Sequence, residues 1–200
     1  MRQCLVIGLP NVGKTLLSLR LAALAGGPAA FVAHELPGGE RGARRLPWAE
    51  ARAELVGERA HTTLGLQTFG LGTAVGARAV CLLHDSTGLA EDAAEDAWVR
   101  AGMARTLARL AEADAVLHVI DASRAAAGGL STIDERVAEV ARAREVPYLL
   151  ALNKIDLDPG LLSLQAPAHG RRTAVAPVSA LTGSGVEGIW RFVLRAVVIH

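Results

Sequence analysis

The chain has 200 residues, 51% of them apolar and 20% charged, with a formal net charge of +1. That length and composition favour one globular domain, or one domain with an insertion, and exclude a disordered segment. Acidic and basic residues interleave along the chain, so electrostatics alone predict neither a nucleic-acid groove nor an acidic substrate.

In chain order, residues 5–7 are a short apolar run ending at Gly8, and 15–24 are a helix pattern closed by Gly26-Gly27-Pro28. The opening run is too short for a signal core, and no apolar stretch approaches the roughly 20 residues that cross a bilayer. Residues 27–60 differ, with Pro37-Gly38-Gly39, Gly42, Pro47 and balanced Glu and Arg. Within them 48–56 reads as a short helix and the remainder as loop. Strand-like runs at 64–73 and 78–84 flank a hairpin turn at 74–77. Residues 93–112 are helical, with Val99, Met103, Leu107 and Leu110 on one face. A buried-type strand at 116–120 precedes a helix at 131–144, capped by Ser131 with Asp134 reaching back. Then come a strand at 148–152, a Pro/Gly loop at 157–172, a strand at 173–178 and a closing helix at 186–198. Trp190, Phe192, Val193 and Val197 form the apolar face of that last helix. The alternation predicts an α/β fold: a mostly parallel, doubly wound sheet of about six strands with one antiparallel edge hairpin strand. We expect a single domain over 1–200 with an insertion at 27–60. Ligands in such sheets sit at the carboxyl ends of the strands.

Three motifs stand at such ends. Gly8-Leu9-Pro10-Asn11-Val12-Gly13-Lys14-Thr15 is a complete G-x-x-x-x-G-K-[ST] between a strand and a helix. Its backbone N–H groups would wrap phosphates, Lys14 would reach the β- and γ-phosphates, and the Thr15 hydroxyl would ligate Mg²⁺. Asn153-Lys154-Ile155-Asp156 follows a strand. There Asp156 can accept two hydrogen bonds from guanine, a pairing adenine lacks. Asn153 can bond the other edge of the base and tie back to the phosphate loop, while the Lys154 stem covers the ring. Asp85-Ser86-Thr87-Gly88 also ends a strand, so Asp85 would hold Mg²⁺ through a water and the Gly88 N–H would meet the γ-phosphate. The chain contains 21 basic residues yet only two lysines, Lys14 and Lys154, and only two asparagines, Asn11 and Asn153. All four lie inside these motifs, which chance placement rarely achieves.

With these residues the chain resembles the translation-factor class of P-loop GTPases, and within it the Era/TrmE-like branch, which includes the G domain of bacterial ferrous-iron transporters. The resemblance spans residues 8 to 185. It implies a G-domain fold that binds GTP and GDP with Mg²⁺ and hydrolyses GTP as a switch. It also implies that Ser179-Ala180 is the last guanine motif, the Ala180 N–H bonding the guanine oxygen. A switch threonine on Mg²⁺ is implied as well. Thr62 and Thr63 are the candidates, 23 and 22 residues before Asp85, and Thr63 is favoured.

Two departures qualify the resemblance. Ras-type proteins place a water-orienting Gln where this chain has Leu89, so Lys14, Asn11, Thr63 and Gly88 become the catalytic candidates. Some members of the branch use a K⁺ held by an asparagine at the position of Asn11; the alternative is an Asn that tightens the loop. The other departure is the 70 residues between Lys14 and Asp85. They imply a mobile, elongated first switch at 27–60 that carries contacts to a protein or ribonucleoprotein effector. Trp48 either anchors such a partner or packs its own helix. We expect a cytoplasmic protein with no integral membrane segment, and a nucleotide-dependent dimer is compatible. A module that binds GTP but hydrolyses it weakly, until a partner or dimer completes the site, is the alternative. An ATP phosphotransferase fits the phosphate loop but not 153–156. Cys4 and Cys81 read as buried thiols, His84 and His118 as core-edge residues, and Asp121 and Ser123 as a cap.

Overall fold

The computed structural model describes residues 1–26, 29–35, 40–56, 66–72, 79–89, 97–158, 160 and 174–198. At its centre β1 (Arg2–Ile7) is flanked by β5 (Ala79–Asp85) and β6 (Ala115–Asp121), both parallel to it. β7 (Tyr148–Asn153) and β8 (Ala174–Pro177) extend the parallel half. On the other side β4 (Leu66–Gly72) pairs antiparallel with β5, and β2 (Ala30–Glu35) and β3 (Arg41–Leu46) continue antiparallel to the edge. The sheet order is β3-β2-β4-β5-β1-β6-β7-β8.

Strand alternation divides the core into two layers. On one face Cys4, Val6, Phe69, Leu83 and Leu117 pack with Leu17 and Leu21 of α1 (Lys14–Leu24) and with Ile189 and Val193 of α6 (Val186–Val198). On the opposite face Leu5, Ile7 and Val116 pack with Leu110 of α3 (Ala97–Glu112) and with Val137 and Ala141 of α5 (Thr132–Ala143). Ser131 and Asp134 form the expected reciprocal capping box on α5. Asp121 caps α4 (Ala122–Gly128) by accepting from the Ser123 N–H at 3.0 Å, as expected of a cap.

The fold class agrees with the expectation, but the described residues form eight strands rather than about six. The extra two, β2 and β3, lie in the stretch expected to be mobile loop, where only the helix α2 (Trp48–Leu55) was foreseen. Within the insertion, the described residues 30–35 and 41–46 are therefore an antiparallel strand pair on the sheet. Its outer strand, Arg41-Gly42-Ala43-Arg44-Arg45-Leu46, is exposed or half-buried throughout, so it has no core-facing period to read. Charged residues on an edge strand also discourage pairing with other chains. Trp48 is half-buried and packs against the core cluster, which makes it an anchor of α2. Leu107, expected on the buried face of α3, is 52% exposed. The helix instead docks through Gly102 and Thr106: a Cβ on Gly102 would lie 3.0 Å from Thr87 Oγ1, and Thr106 Oγ1 donates to the Gly102 and Thr87 carbonyls. The next residue, about 100° round the helix, points to solvent. The expected hairpin turn at 74–77 lies outside the described residues. No described helix is long and apolar enough to cross a membrane.

Candidate functional site

The turn from β1 into α1 is built on close backbone approaches. Gly8 has φ 148 and a Cβ there would meet the Val119 carbonyl oxygen at 2.1 Å. Gly13, the residue before α1, has φ 92 and leaves only 2.3 Å between a Cβ and Asn153 Nδ2. Both conformations belong to glycine. Asn11 sits at the exposed tip with φ 60, a left-handed geometry that asparagine tolerates better than most side chains.

Lys14 is 7% exposed, and its Nζ donates to the Leu9 carbonyl at 2.8 Å. Burial lowers its pKa to about 8, opposed by the charges of Asp85 and Asp134. Behind it the Thr15 hydroxyl donates to Asp85 Oδ2 at 2.6 Å. Asp85 is fully buried, and its pKa is pushed up to about 6 by that burial, against the pull of Thr15 and Lys14. Its second oxygen, Oδ1, has no hydrogen-bond partner among the described residues. An unpaired buried carboxylate oxygen is costly and suits a hydrated divalent cation, which takes hard oxygen donors and keeps several of its waters. Thr15 and Asp85 therefore fit Mg²⁺. The Asp85–Gly88 segment lies directly on the phosphate loop: a Cβ on Gly88 would be 2.7 Å from the Pro10 nitrogen, and Leu89 N–H donates to the Gly8 carbonyl at 3.2 Å.

Asn153 joins the remaining motifs. Its Nδ2 donates to the Val12 carbonyl at 2.7 Å, and its Oδ1 accepts from Ala180 N–H at 2.9 Å. One buried side chain thus makes the tie to the phosphate loop that its sequence position suggested, and also holds the Ser179-Ala180 loop. Ala180 N–H, expected on the guanine oxygen, is here engaged by Asn153. Lys154 has φ 69, and its Nζ forms an ion pair with Asp121 Oδ2 at 2.8 Å. Burial alone would raise the Asp121 pKa, but Lys154 and Ser123 hold it below the ordinary carboxylate range. Asp156 is exposed on the 3-10 turn Ile155–Leu157.

Two contacts escape sequence reading, that of Arg20 with the last motif loop and that of Asp121 with Lys154. Arg20, on α1, donates to the Ala180 carbonyl at 2.9 Å and the Leu181 carbonyl at 2.5 Å, clasping the last motif loop. Asp121 bridges a helix cap and Lys154. Neither belongs to a motif, and only the packed sheet brings them in. Thr62 and Thr63 lie outside the described residues. A cleft of about 360 Å³ opens beside the phosphate loop between Leu9, Val12, Asp121, Arg124, Ser131 and Asp134. It shares Leu9 and Val12 with the phosphate loop but touches neither Asn153 nor Ala180.

Cys4 and Cys81 are both buried, unpaired thiols, with burial pushing the Cys81 pKa up to about 12. Among the described residues no cluster of His, Cys, Asp and Glu is arranged to hold a metal ion.

Residues 45–154 match the family model described as 50S ribosome-binding GTPase. The chain is 34% identical over 183 residues to the tRNA modification GTPase MnmE of Xylella fastidiosa, a match that covers 91% of this chain and 31% of that protein. It is 34% identical over 184 residues to the GTPase Der of Gloeobacter violaceus, covering 90% of this chain and 32% of that one. It spans about a third of these relatives. Among solved structures, Era in complex with MgGDPNP and nucleotides 1506–1542 of 16S ribosomal RNA superposes with a TM-score of 0.69 at 21% identity, over 98% of this chain and 56% of that one. The G domain of the T. maritima FeoB iron transporter gives 0.56 at 19% identity, over 98% of each chain. These two likenesses concern the fold.

Proposed function

We propose, from the premise that this chain belongs to the P-loop GTPases of the Era/TrmE-like kind, that it binds GTP and GDP with Mg²⁺ and hydrolyses GTP as a molecular switch. The observation that carries this reading is the pair of hydrogen bonds made by Asn153, donated to the Val12 carbonyl and accepted from the Ala180 N–H. It supports one nucleotide lying across the phosphate loop and both guanine motifs.

In this reading, residues 1–200 are one G domain whose insertion at 27–60 belongs to the first switch. The backbone from Gly8 through Pro10, Asn11, Val12 and Gly13 holds the phosphates. Lys14 exchanges its bond to the Leu9 carbonyl for phosphate oxygens. Asp156 selects guanine, Lys154 covers the ring, and Ser179-Ala180 closes over the base edge. Thr15, Asp85 and Thr63 hold Mg²⁺, which when bound neutralises charge on the β- and γ-phosphates. The Gly88 N–H faces the γ-phosphate and releases when phosphate departs.

Leu89 is 2% exposed and packs in the core cluster with Leu5, Ile7 and Leu110. It takes no part in positioning water. This favours a second reading, a GTP-binding module whose hydrolysis is slow until a partner or a second copy completes the site. A K⁺ held by Asn11 is the other source of catalysis, stabilising charge that develops in the transition state. The exposed hairpin β2–β3 offers a surface for a protein or ribonucleoprotein effector. Multiple-turnover phosphate release by the purified chain, in KCl and in NaCl, tests these alternatives. Turnover faster in KCl, and no longer so in Asn11→Gly, supports the cation. Equal rates in the two salts dismiss it, and no turnover in either favours the slow module.

A further inference from the structure

Gln67 stands on β4 directly opposite Asp85 of β5 in the antiparallel register. Side chains at such positions share a face, with Cβ atoms about 4.5–5.5 Å apart. The face is the buried one: Phe69 and Leu71, the next residues of β4 on that side, are fully buried. An apolar residue would be the cheap choice at position 67. Instead an amide sits there, and its Oε1 is buried with no hydrogen-bond partner among the described residues. The neighbouring Asp85 Oδ1 is in the same condition. Both atoms are acceptors, so neither can satisfy the other, and the Thr15 hydroxyl already donates to the other Asp85 oxygen. Two orphaned acceptors on adjacent strands call for one donor with two protons to give.

We propose that Gln67 is a positioning residue for the divalent cation, accepting a hydrogen bond from a water in its hydration shell while Asp85 Oδ1 accepts a second. This rests on the Mg²⁺-nucleotide reading given above. Mg²⁺ dehydrates reluctantly and keeps several waters, whose polarised protons are strong donors. A neutral amide adds an acceptor without adding charge beside Asp85. Residues that orient a metal's ligands in this way are worth about 10–100-fold in affinity.

The test is the affinity of the whole chain for fluorescent GDP, titrated with Mg²⁺ from an EDTA-treated start. Gln67→Leu should leave the Mg²⁺-free affinity unchanged and raise the Mg²⁺ concentration for half-maximal tightening about tenfold or more. Gln67→Glu keeps acceptor oxygens and adds charge, so it should lower that concentration; this variant decides the matter if the leucine form does not fold. A leucine variant that titrates like wild type, whether or not its Tm rises, overturns the proposal and leaves the nucleotide reading standing. A wild-type chain whose GDP affinity ignores Mg²⁺ removes the Mg²⁺ reading and the proposal with it.

Discussion

Leu89 occupies the position where a water-orienting glutamine would be sought, yet it lies in the core beside Leu5, Ile7 and Leu110. Leu89→Gln should therefore not accelerate hydrolysis. It should destabilise the fold by about 2–4 kcal/mol, from lost packing and a buried amide, as read by urea unfolding beside phosphate release. Gly13→Ala should be similarly revealing: its Cβ would press on Asn153 Nδ2 at φ 92, weakening GDP binding together with stability. His84 offers a pH prediction. Its Nε2 lies 3.1 Å from Gln3 Oε1, an acceptor, so that nitrogen carries the proton and Nδ1 accepts from Thr68 Oγ1 at 2.9 Å. Burial first, and then the charge of Arg109, lower its pKa from 6.5 to about 4. On acidification the unfolded chain takes the proton before the folded one, so the His84 contribution is complete above about pH 6.5 and lost as pH falls towards 4. Asp85, raised from 3.8 to about 6, acts oppositely: stability falls as pH rises through that window. The His84 part is read as the wild-type minus His84→Gln difference, which should shrink by about 2 kcal/mol between pH 7 and 5. A constant difference would contradict the lowered pKa of His84. The motif residues were legible because a chain so poor in Lys and Asn keeps them there. Gln67, Arg20 and the Asp121–Lys154 pair were not, because each acquires meaning only through strand register or loop packing.

Among the elements, β1, α1, β5, β6, α5, β7 and α6 were legible because each combines an apolar period with a turn or cap at its end. β2 and β3 were missed. β2 alternates in burial but not in hydrophobicity, since Phe31, 55% exposed, is as apolar as Val32, 4% exposed, and β3 buries no residue. Their pairing is set by the neighbouring β4 (Val32 opposite Phe69, Ala33 opposite Thr68), a long-range contact with no local trace. If this hairpin is part of the fold, Val32→Ala should cost about 1–2 kcal/mol from lost burial. Phe31→Ser should then leave stability within about 0.5 kcal/mol. Equal effects in thermal melts would mean that the hairpin does not pack as described. Ser131→Ala removes the α5 cap and should cost about 1 kcal/mol. Asp134 gives it added weight: burial would raise its pKa, but hydrogen bonds from His118 and Ser131 hold it low.

For the whole molecule, the parallel half β5-β1-β6-β7-β8 brings the motifs that begin at Gly8, Asp85, Asn153 and Ser179 to one end of the sheet, where strand ends hold ligands. The antiparallel half extends the same sheet and carries Gln67 beside Asp85. Nucleotide affinity should therefore depend on pairs far apart in sequence. Asn153→Ala severs both the Val12 and Ala180 links and should weaken GDP binding by more than either lost hydrogen bond alone, about 2–3 kcal/mol or 30–150-fold. The most direct test of the central claim is competition for fluorescent GDP on the purified chain in Mg²⁺. GTP and GDP should displace the probe at equal or similar concentrations, while ATP at a hundredfold higher concentration should not. Displacement by ATP as readily as by GTP, or no binding of the probe at all, would contradict the account.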